Sequence, residues 1–420
     1  MRYHILVYLC DKKKGNELKG IHARIKGAFT DMRPNEIVLL IMTLSIFLTV
    51  YIEIAVLMAL PIYIFVTKQG FIFRRRRYDV IFLSIFWLLS MVVTLLNKPG
   101  ALDIAMGVMM VFAFIAMIFT CYAMTQRMFR LIISICCFMS PVCFAIALIQ
   151  QGMGLVWDYG ERYCSVFTNP NYYAFYISLV ILFCIYSSIK SEGAGAKAAF
   201  LLLIPINLAA LYLTECRTTF IVLLAVCPIM LCYCEKKRWL VIYLAVFAAF
   251  FTAALLLEDK LELLPRMGEI GADFKKRMDI WKGAIKSIAD APIFGRGYNT
   301  YTRIHELYGS YDANHSHNLL LELLMDFGIV GSGILAAYFS INIGKIIGLH
   351  RLNKCHHRYG LTVAVLACVA LHGLFDITML WPQTGLLVIY IIGYSTDYDK
   401  VHIFSDARRH SILPSHQGDK

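Results

Sequence analysis

Charged side chains are scarce in this 420-residue chain, at 16% of its residues, against about 25% in soluble globular proteins. So few cannot coat a globule that is 59% hydrophobic, which excludes a secreted, disordered or ordinary cytosolic protein. Acidic residues are the scarcer sign, 28 against 40 Lys and Arg. In a soluble chain that excess would suggest nucleic acid. Here no basic stripe interleaved with aromatics offers a binding surface, so no nucleic-acid partner is expected. No Walker A sequence occurs, so the chain does not itself hydrolyse nucleotide. The first 36 residues hold no long apolar stretch, and a cleavable signal peptide is not expected. Cysteine is plentiful, at 13, but Cys136, Cys137, Cys184, Cys227 and Cys368 lie inside apolar runs, where a thiol is a small hydrophobe. Cys164 and Cys216 fall near the outer face, and nothing in their spacing pairs them.

What the chain has in abundance is apolar runs. A helix needs about 20 apolar residues to cross a bilayer core of about 30 Å. Residues 37–66 are too long for one span and short for two, and read as a tight pair, 37–51 and 53–67, with Glu53 at the turn. Further spans follow at 78–96, 102–123, 131–151, 170–188, 197–214, 218–234, 239–257, 319–344, 360–379 and 382–397. The expected fold is therefore all-α, a polytopic membrane bundle of about twelve helices. Cytoplasmic loops collect Lys and Arg. Placing the basic amino terminus inside also puts Arg74 to Arg77, Arg127, Arg130, Lys190, Lys197, Lys236 to Arg238, Lys345, Arg351 and Arg358 inside. The divisions expected are a cytoplasmic segment 1–36, nine spans over 37–257, a large extracytoplasmic loop 258–318, three spans over 319–397 and a cytoplasmic tail 398–420.

Long loops in compact folds are usually functional, and this one has structure of its own. Phe274, Met278, Trp281, Ile285 and Ile288 recur at spacings of three and four, which predicts an amphipathic helix over Asp273 to Ala289, ended by Pro292. Arg217 lies where one span ends and the next begins. It fits either an arginine reaching to the interface or one paired with Glu215 or reserved for an anion. Arg277 opens the amphipathic helix and fits a plain surface residue equally well. In Asn314-His315-Ser316-His317-Asn318, two capping residues put His317 in the first turn of the next helix. There the partial positive charge disfavours imidazolium and suits a general base. A zinc site from His315, His317 and Asp312 is disfavoured, since helical residues two apart point about 200° apart. Asn318, Glu322 and Asp326 form a polar stripe on one face, and acids there must face the bundle interior or a wet cavity. Gly328, Gly331 and Gly333 would let a neighbouring helix come close. His372 and Asp376, four apart, can bond on one face, as a structural clamp or as part of a site.

In order, Phe167-Thr168-Asn169-Pro170-Asn171, Leu213-Thr214-Glu215-Cys216-Arg217, Arg277 with Trp281, Pro292 to Gly297, His317-Asn318 nine residues before Gly328-Ile329-Val330-Gly331, and His372 to Asp376 resemble the O-antigen ligase and polymerase superfamily of bacterial membrane glycosyltransferases. The resemblance covers most of the chain from about residue 160. It implies a glycan donor on polyprenyl pyrophosphate, a glycan or lipid-linked acceptor, action on the outer face of the cytoplasmic membrane, and no cofactor or metal. Carried over by motif, His317 resembles the general base, and Arg217 and Arg277 resemble the arginines that bind the donor pyrophosphate. Trp281, His315, Asn318, Glu322, His372 and Asp376 then complete a substrate-binding set. Where the family usually has serine beside the first arginine, this chain has Cys216. Ligase and polymerase both fit these residues. The competing class is a transporter or flippase of lipid-linked sugars, which would show repeated halves and broken helices near the midplane; neither is evident in the sequence.

Overall fold

A computed structural model describes residues 32–155, 162–261, 267–353 and 356–396. The expected amino-terminal segment up to residue 31 and the tail after residue 396 lie outside the described residues. Within them the chain is helical, with no strand: α1 (Pro34–Ser45), α2 (Val50–Val66), α3 (Phe71–Arg75), α4 (Arg77–Leu96), α5 (Ala101–Ala123), α6 (Gln126–Gly152), α7 (Pro170–Lys190), α8 (Ala194–Leu213), α9 (Arg217–Tyr233), α10 (Lys237–Leu261), α11 (Ile270–Asp290), α12 (Thr300–Ile304), α13 (Leu319–Asn353), α14 (His356–Gly373) and α15 (Pro382–Ser395).

Six of these, α4 to α8 and Leu319–Arg351 of α13, are long and apolar enough to cross a membrane. The figure of about twelve spans is not reached by that measure among the described residues. The helix surfaces say which solvent they meet. On α4, Ile81, Ile85, Leu88 and Val92 are all exposed, an apolar stripe at helical spacing that would be an error in water and is correct in lipid. Polar groups go inward instead. Asp79 accepts from Tyr338 Oη at 3.0 Å, and Asn207 Nδ2 donates to Ser140 Oγ at 2.8 Å. Apolar outside and paired polar inside is the pattern of a multi-pass membrane protein. The core centres on α7, where Phe175, Tyr176, Leu179 and Val180 are fully buried.

The expected tight pair at the start is present as α1 and α2. Tyr63 Oη donates to Asn35 Oδ1 at 2.6 Å and Asn35 Nδ2 to Gln69 Oε1 at 2.9 Å, closing the open end. At the turn, Gln383 Nε2 donates to Ile46 O at 2.7 Å. Glu53 sits just past that turn and is fully buried.

Three expectations are corrected. The span expected over 360–379 stops at Gly373, because the chain turns there and Phe375 and Asp376 both donate their N–H to His372 O at 3.0 Å. The amphipathic helix is found as α11, but its inward face is rotated from the expected one. Ile280, Ala284 and Ser287 are buried, while Phe274 and Ile285 are exposed. The inward stripe runs back through Arg277 and Asp273, so the helix aims charge as well as apolar surface at the bundle.

Of the glycines of α13, Gly331 faces Phe86 of α4 as expected, but Gly328 acts differently. Gly328 has φ 61° and ψ −169°, a conformation open essentially only to glycine, and it breaks the helix. The freed backbone groups are taken up by Pro292 to Gly297. Ile329 and Val330 donate to Pro292 O and Ile293 O at 2.8 and 3.0 Å, while Arg296 and Gly297 donate to Met325 O and Asp326 O at 3.1 and 2.7 Å. A Cβ on Gly328 would lie 2.4 Å from Ile293 O, and one on Gly295 would lie 2.5 Å from Asp326 O. The two glycines thus permit a backbone-to-backbone approach by a loop, where the sequence suggested a helix. Gly333 has nothing within 4 Å of a Cβ.

Candidate functional site

One end of the bundle gathers the candidate residues from five elements. His315 and His317 come from the segment before α13, Asp376 from the turn after α14, Asn171 from the first turn of α7, Arg217 from the first residue of α9, and Arg277 from α11. The expected first-turn position of His317 is corrected: α13 begins at Leu319, and Asn318 is its cap, accepting from Leu321 N at 3.0 Å. His317 lies before the cap with φ 51°, a left-handed backbone uncommon for a non-glycine residue and frequently found at functional sites. Thr168 and Glu215, which flank Asn171 and Arg217, are also left-handed, at 60° and 53°.

Because neither histidine is helical, their rings do not diverge as expected but meet at 4.2 Å between centroids. Asp376 is what holds them. His315 Nε2 donates to Asp376 Oδ1 at 3.0 Å, and His317 Nδ1 approaches the same oxygen at 3.5 Å. The second contact is too long for a good hydrogen bond. Asp376 Oδ1 also accepts from Ile377 N at 2.8 Å, and Oδ2 accepts from Asn171 Nδ2 at 2.7 Å. Burial works to raise the Asp376 carboxyl, but the imidazoles of His315 and His317 outweigh it and hold it well below the usual carboxylate range. Burial likewise works to lower His315, and its bond and charge contact with Asp376 outweigh that, holding it above its ordinary value. The contact thus favours a charged Asp376 and a protonated His315, while the His317 side chain is 27% exposed and open to a ligand.

The ligand atoms of His315, His317 and Asp376 lie within 4.8 Å of one another, a spacing a metal ion could bridge. Two imidazoles and a carboxylate are common metal ligands, and here they also contact one another. Asp376 already receives two backbone or amide N–H groups besides His315, and a cation would have to displace His315 from its oxygen.

The expected polar stripe is present and internal. Glu322 is buried and accepts from Ser316 N at 2.7 Å, fixing the backbone between the two histidines. Asp326 is buried and accepts from Thr300 N at 3.2 Å. Asn318 Nδ2 donates to Leu374 O at 3.1 Å, tying the His317 segment to the Asp376 turn. His372 and Asp376 do not clamp each other through their side chains. His372 is fully buried, with Thr219 Oγ1 at 3.1 Å from Nε2 and Thr378 Oγ1 at 3.2 Å from Nδ1. Both ring nitrogens are engaged, so His372 joins α9 to α14 beside the site. Trp281 packs beside Ile280 and Ala284, and its Nε1 is buried without a hydrogen-bond partner.

The two candidate arginines flank the triad. Arg277 Nη1 donates to the carbonyl of Phe375, the residue before Asp376. Arg217 pairs with Asp273 of α11, Nη2 to Oδ2 at 2.5 Å, with the two side chains 25% and 28% exposed. In the sequence Asp273 stands out only as the start of the amphipathic helix; the signal for its role is its place four residues before Arg277. Two other participants were missed. Arg162 Nη2 donates to Asn171 Oδ1 at 2.8 Å and its Nε to Thr214 O at 2.9 Å. Asn171 had been noted only as part of a motif. Cys164 and Cys216 are both buried free thiols.

Residues 198–336 match the family described as O-antigen ligase. No curated protein matches the chain. The family match covers about a third of the chain and supports the resemblance to the O-antigen ligase and polymerase superfamily read from the motifs. The matched segment contains Arg217, Asp273, Arg277, His315 and His317. Their partners Asn171 and Asp376 lie on either side of it.

Proposed function

We propose that the protein is a metal-independent, inverting glycosyltransferase of the O-antigen ligase type. It transfers or polymerises glycan from a polyprenyl-pyrophosphate donor onto an acceptor hydroxyl at the outer face of the cytoplasmic membrane. The observation that carries this reading is a partly exposed histidine held against a buried carboxylate, with arginines on two neighbouring helices beside it. His317 turns Nδ1 towards Asp376, which leaves Nε2 to take the acceptor proton. As that proton leaves, the acceptor oxygen attacks the anomeric carbon from the face opposite the leaving group. The bond from that carbon to the pyrophosphate oxygen breaks, and its electron pair stays on the pyrophosphate. Arg217 and Arg277 neutralise that charge; guanidinium suits the task because it binds phosphate bidentately and stays protonated. Three helix amino termini, those of α7, α9 and α13, point their partial positive charge at the same region.

The test is transfer by the reconstituted protein from polyprenyl-pyrophosphate oligosaccharide, with and without chelator, scored by product length. Transfer that survives chelator and is lost by at least about a hundredfold in His317→Ala and Arg217→Ala proteins that insert normally supports the reading. Full transfer by either variant refutes it. A ladder of products marks a polymerase and a single shifted product marks a ligase. Movement of lipid-linked sugar without a new glycosidic bond would assign the protein to transport.

A further inference from the structure

We propose that Arg162 and Asn171 are positioning residues of the triad: Arg162 fixes the orientation of the Asn171 amide, so that Asn171 donates to Asp376 Oδ2 and leaves Oδ1 to the two histidines. The proposal rests on the catalytic reading of the triad for its effect on rate, but not for the geometry itself.

The argument starts from donor and acceptor inventory. An asparagine amide has one accepting and one donating end, and nothing in its shape says which faces which neighbour. Arginine has five N–H donors and no acceptor. Arg162 Nη2 lies 2.8 Å from one end of Asn171, which must therefore be the oxygen. The Nδ2 end is then forced towards Asp376 Oδ2, at 2.7 Å. Without Arg162 the amide could turn over and set its oxygen against the carboxylate. The backbone of Asn171 is itself fixed, since Asn169 caps α7 by accepting Asn171 N at 2.8 Å.

Arg162 also spans two parts of the site. Its Nε donates to Thr214 O at 2.9 Å, three residues before Arg217. One guanidinium thus ties the turn that launches Arg217 to the carboxylate that orients His317. The charged and titratable groups facing Asp376 or its partner His315 are His317 from the segment before α13, Glu322 from α13, His372 from α14, Arg277 from α11, and Arg162 through Asn171. Of these, only the Arg162–Asn171 arm reaches Oδ2 directly by a hydrogen bond.

The consequence is a change in proton affinity. A hydrogen bond to the charged form of a carboxylate makes it a weaker base. Removing the Asn171 donor leaves Asp376 more basic, and the imidazolium it holds on His315 survives to higher pH. Two measurements on the full chain in proteoliposomes read this. The first is the pH profile of transfer for wild type, Asn171→Ala, Arg162→Gln and Arg162→Lys. The second is the pH dependence of thermal unfolding for the same proteins, which needs no activity. In Asn171→Ala the alkaline limb of the unfolding profile and the rate profile should both move up by about half to one pH unit. Arg162→Gln should move both in the same direction by less, because a turned amide is only part of the population. Arg162→Lys, which keeps a donor for Asn171, should restore most of the wild-type profile. Unchanged profiles in both Asn171→Ala and Arg162→Gln overturn the proposal, as does a rate loss equal at every pH with no shift in unfolding. A shifted unfolding profile in a protein that makes no glycosidic bond would uphold the geometry and sink the catalytic reading alone.

Discussion

Replacing Asp376 with asparagine keeps the shape of the side chain and removes its charge, which isolates what the carboxylate does. Asp376 is 3% exposed and accepts from three donors: His315 Nε2 at 3.0 Å, Asn171 Nδ2 at 2.7 Å and Ile377 N at 2.8 Å. An amide cannot serve them all. With its nitrogen in the place of Oδ2 it faces the Asn171 donor; with its nitrogen in the place of Oδ1 it faces His315 and the Ile377 N–H. Either way donors oppose each other in a buried site. A hydrogen bond to a charged group contributes about 1.5–3 kcal/mol, and breaking a buried ion pair from one side costs about 3–5 kcal/mol. The His315 side chain retains some exposure, so a loss of about 3 kcal/mol of stability is expected, at the lower end of that range. If half to all of that loss also falls on the transition state, the rate drops about 10- to 150-fold, since about 1.4 kcal/mol is tenfold. The assay is initial-rate transfer in proteoliposomes beside thermal unfolding of the same preparation. A variant with wild-type Tm, or one that transfers within about twofold of wild type, would refute the claim that this carboxylate organises the site.

The ion pair also makes stability depend on pH. His315 is held above its ordinary value, so its contribution is complete below that value and is lost as pH rises through the raised one. Asp376 is held below its ordinary value, so its contribution is lost as pH falls through the depressed one. Unfolding should therefore be hardest between these limits, and Asp376→Asn should flatten the profile; an equal dependence in both proteins would contradict the pairing. Asp273 must leave Arg217 for an anion to take its place. Asp273→Asn should lower the donor KM by about three- to fivefold, corresponding to about 1 kcal/mol for a pair that is partly solvent-screened, with kcat little changed. A raised KM would instead mean that Asp273 holds Arg217 ready for the donor. Gly328→Ala forces a Cβ to 2.4 Å from Ile293 O at a backbone angle open to glycine. A loss of more than about 3 kcal/mol is expected, and a wild-type Tm would show that the break in α13 is dispensable.

Much of this architecture follows from the sequence alone. Apolar runs of membrane length become helices because backbone groups in lipid have no other partner, and the period of α11 marks it as amphipathic wherever it lies. The order of motifs also suffices to suggest the resemblance, because Arg217, Arg277 and His317 keep their spacing from landmarks along the chain. What the linear pattern does not carry is which polar group meets which. Asp273 meets Arg217 across 56 residues, Asn171 meets Asp376 across 205, and His315 meets Asp376 across 61; no periodicity links positions on different helices. Local rules also misplaced the ends of elements. His317 reads as a first-turn residue until Asn318 takes the cap, and Gly328 reads as a packing glycine until the loop at Pro292 occupies the broken helix. The sequence by itself determined a membrane bundle with arginine and histidine at one end, because burial and helix formation depend on local composition and period. Only the tertiary structure decided that one carboxylate, oriented by Asn171 and Arg162, gathers both histidines, because that choice depends on donors and acceptors brought together by packing.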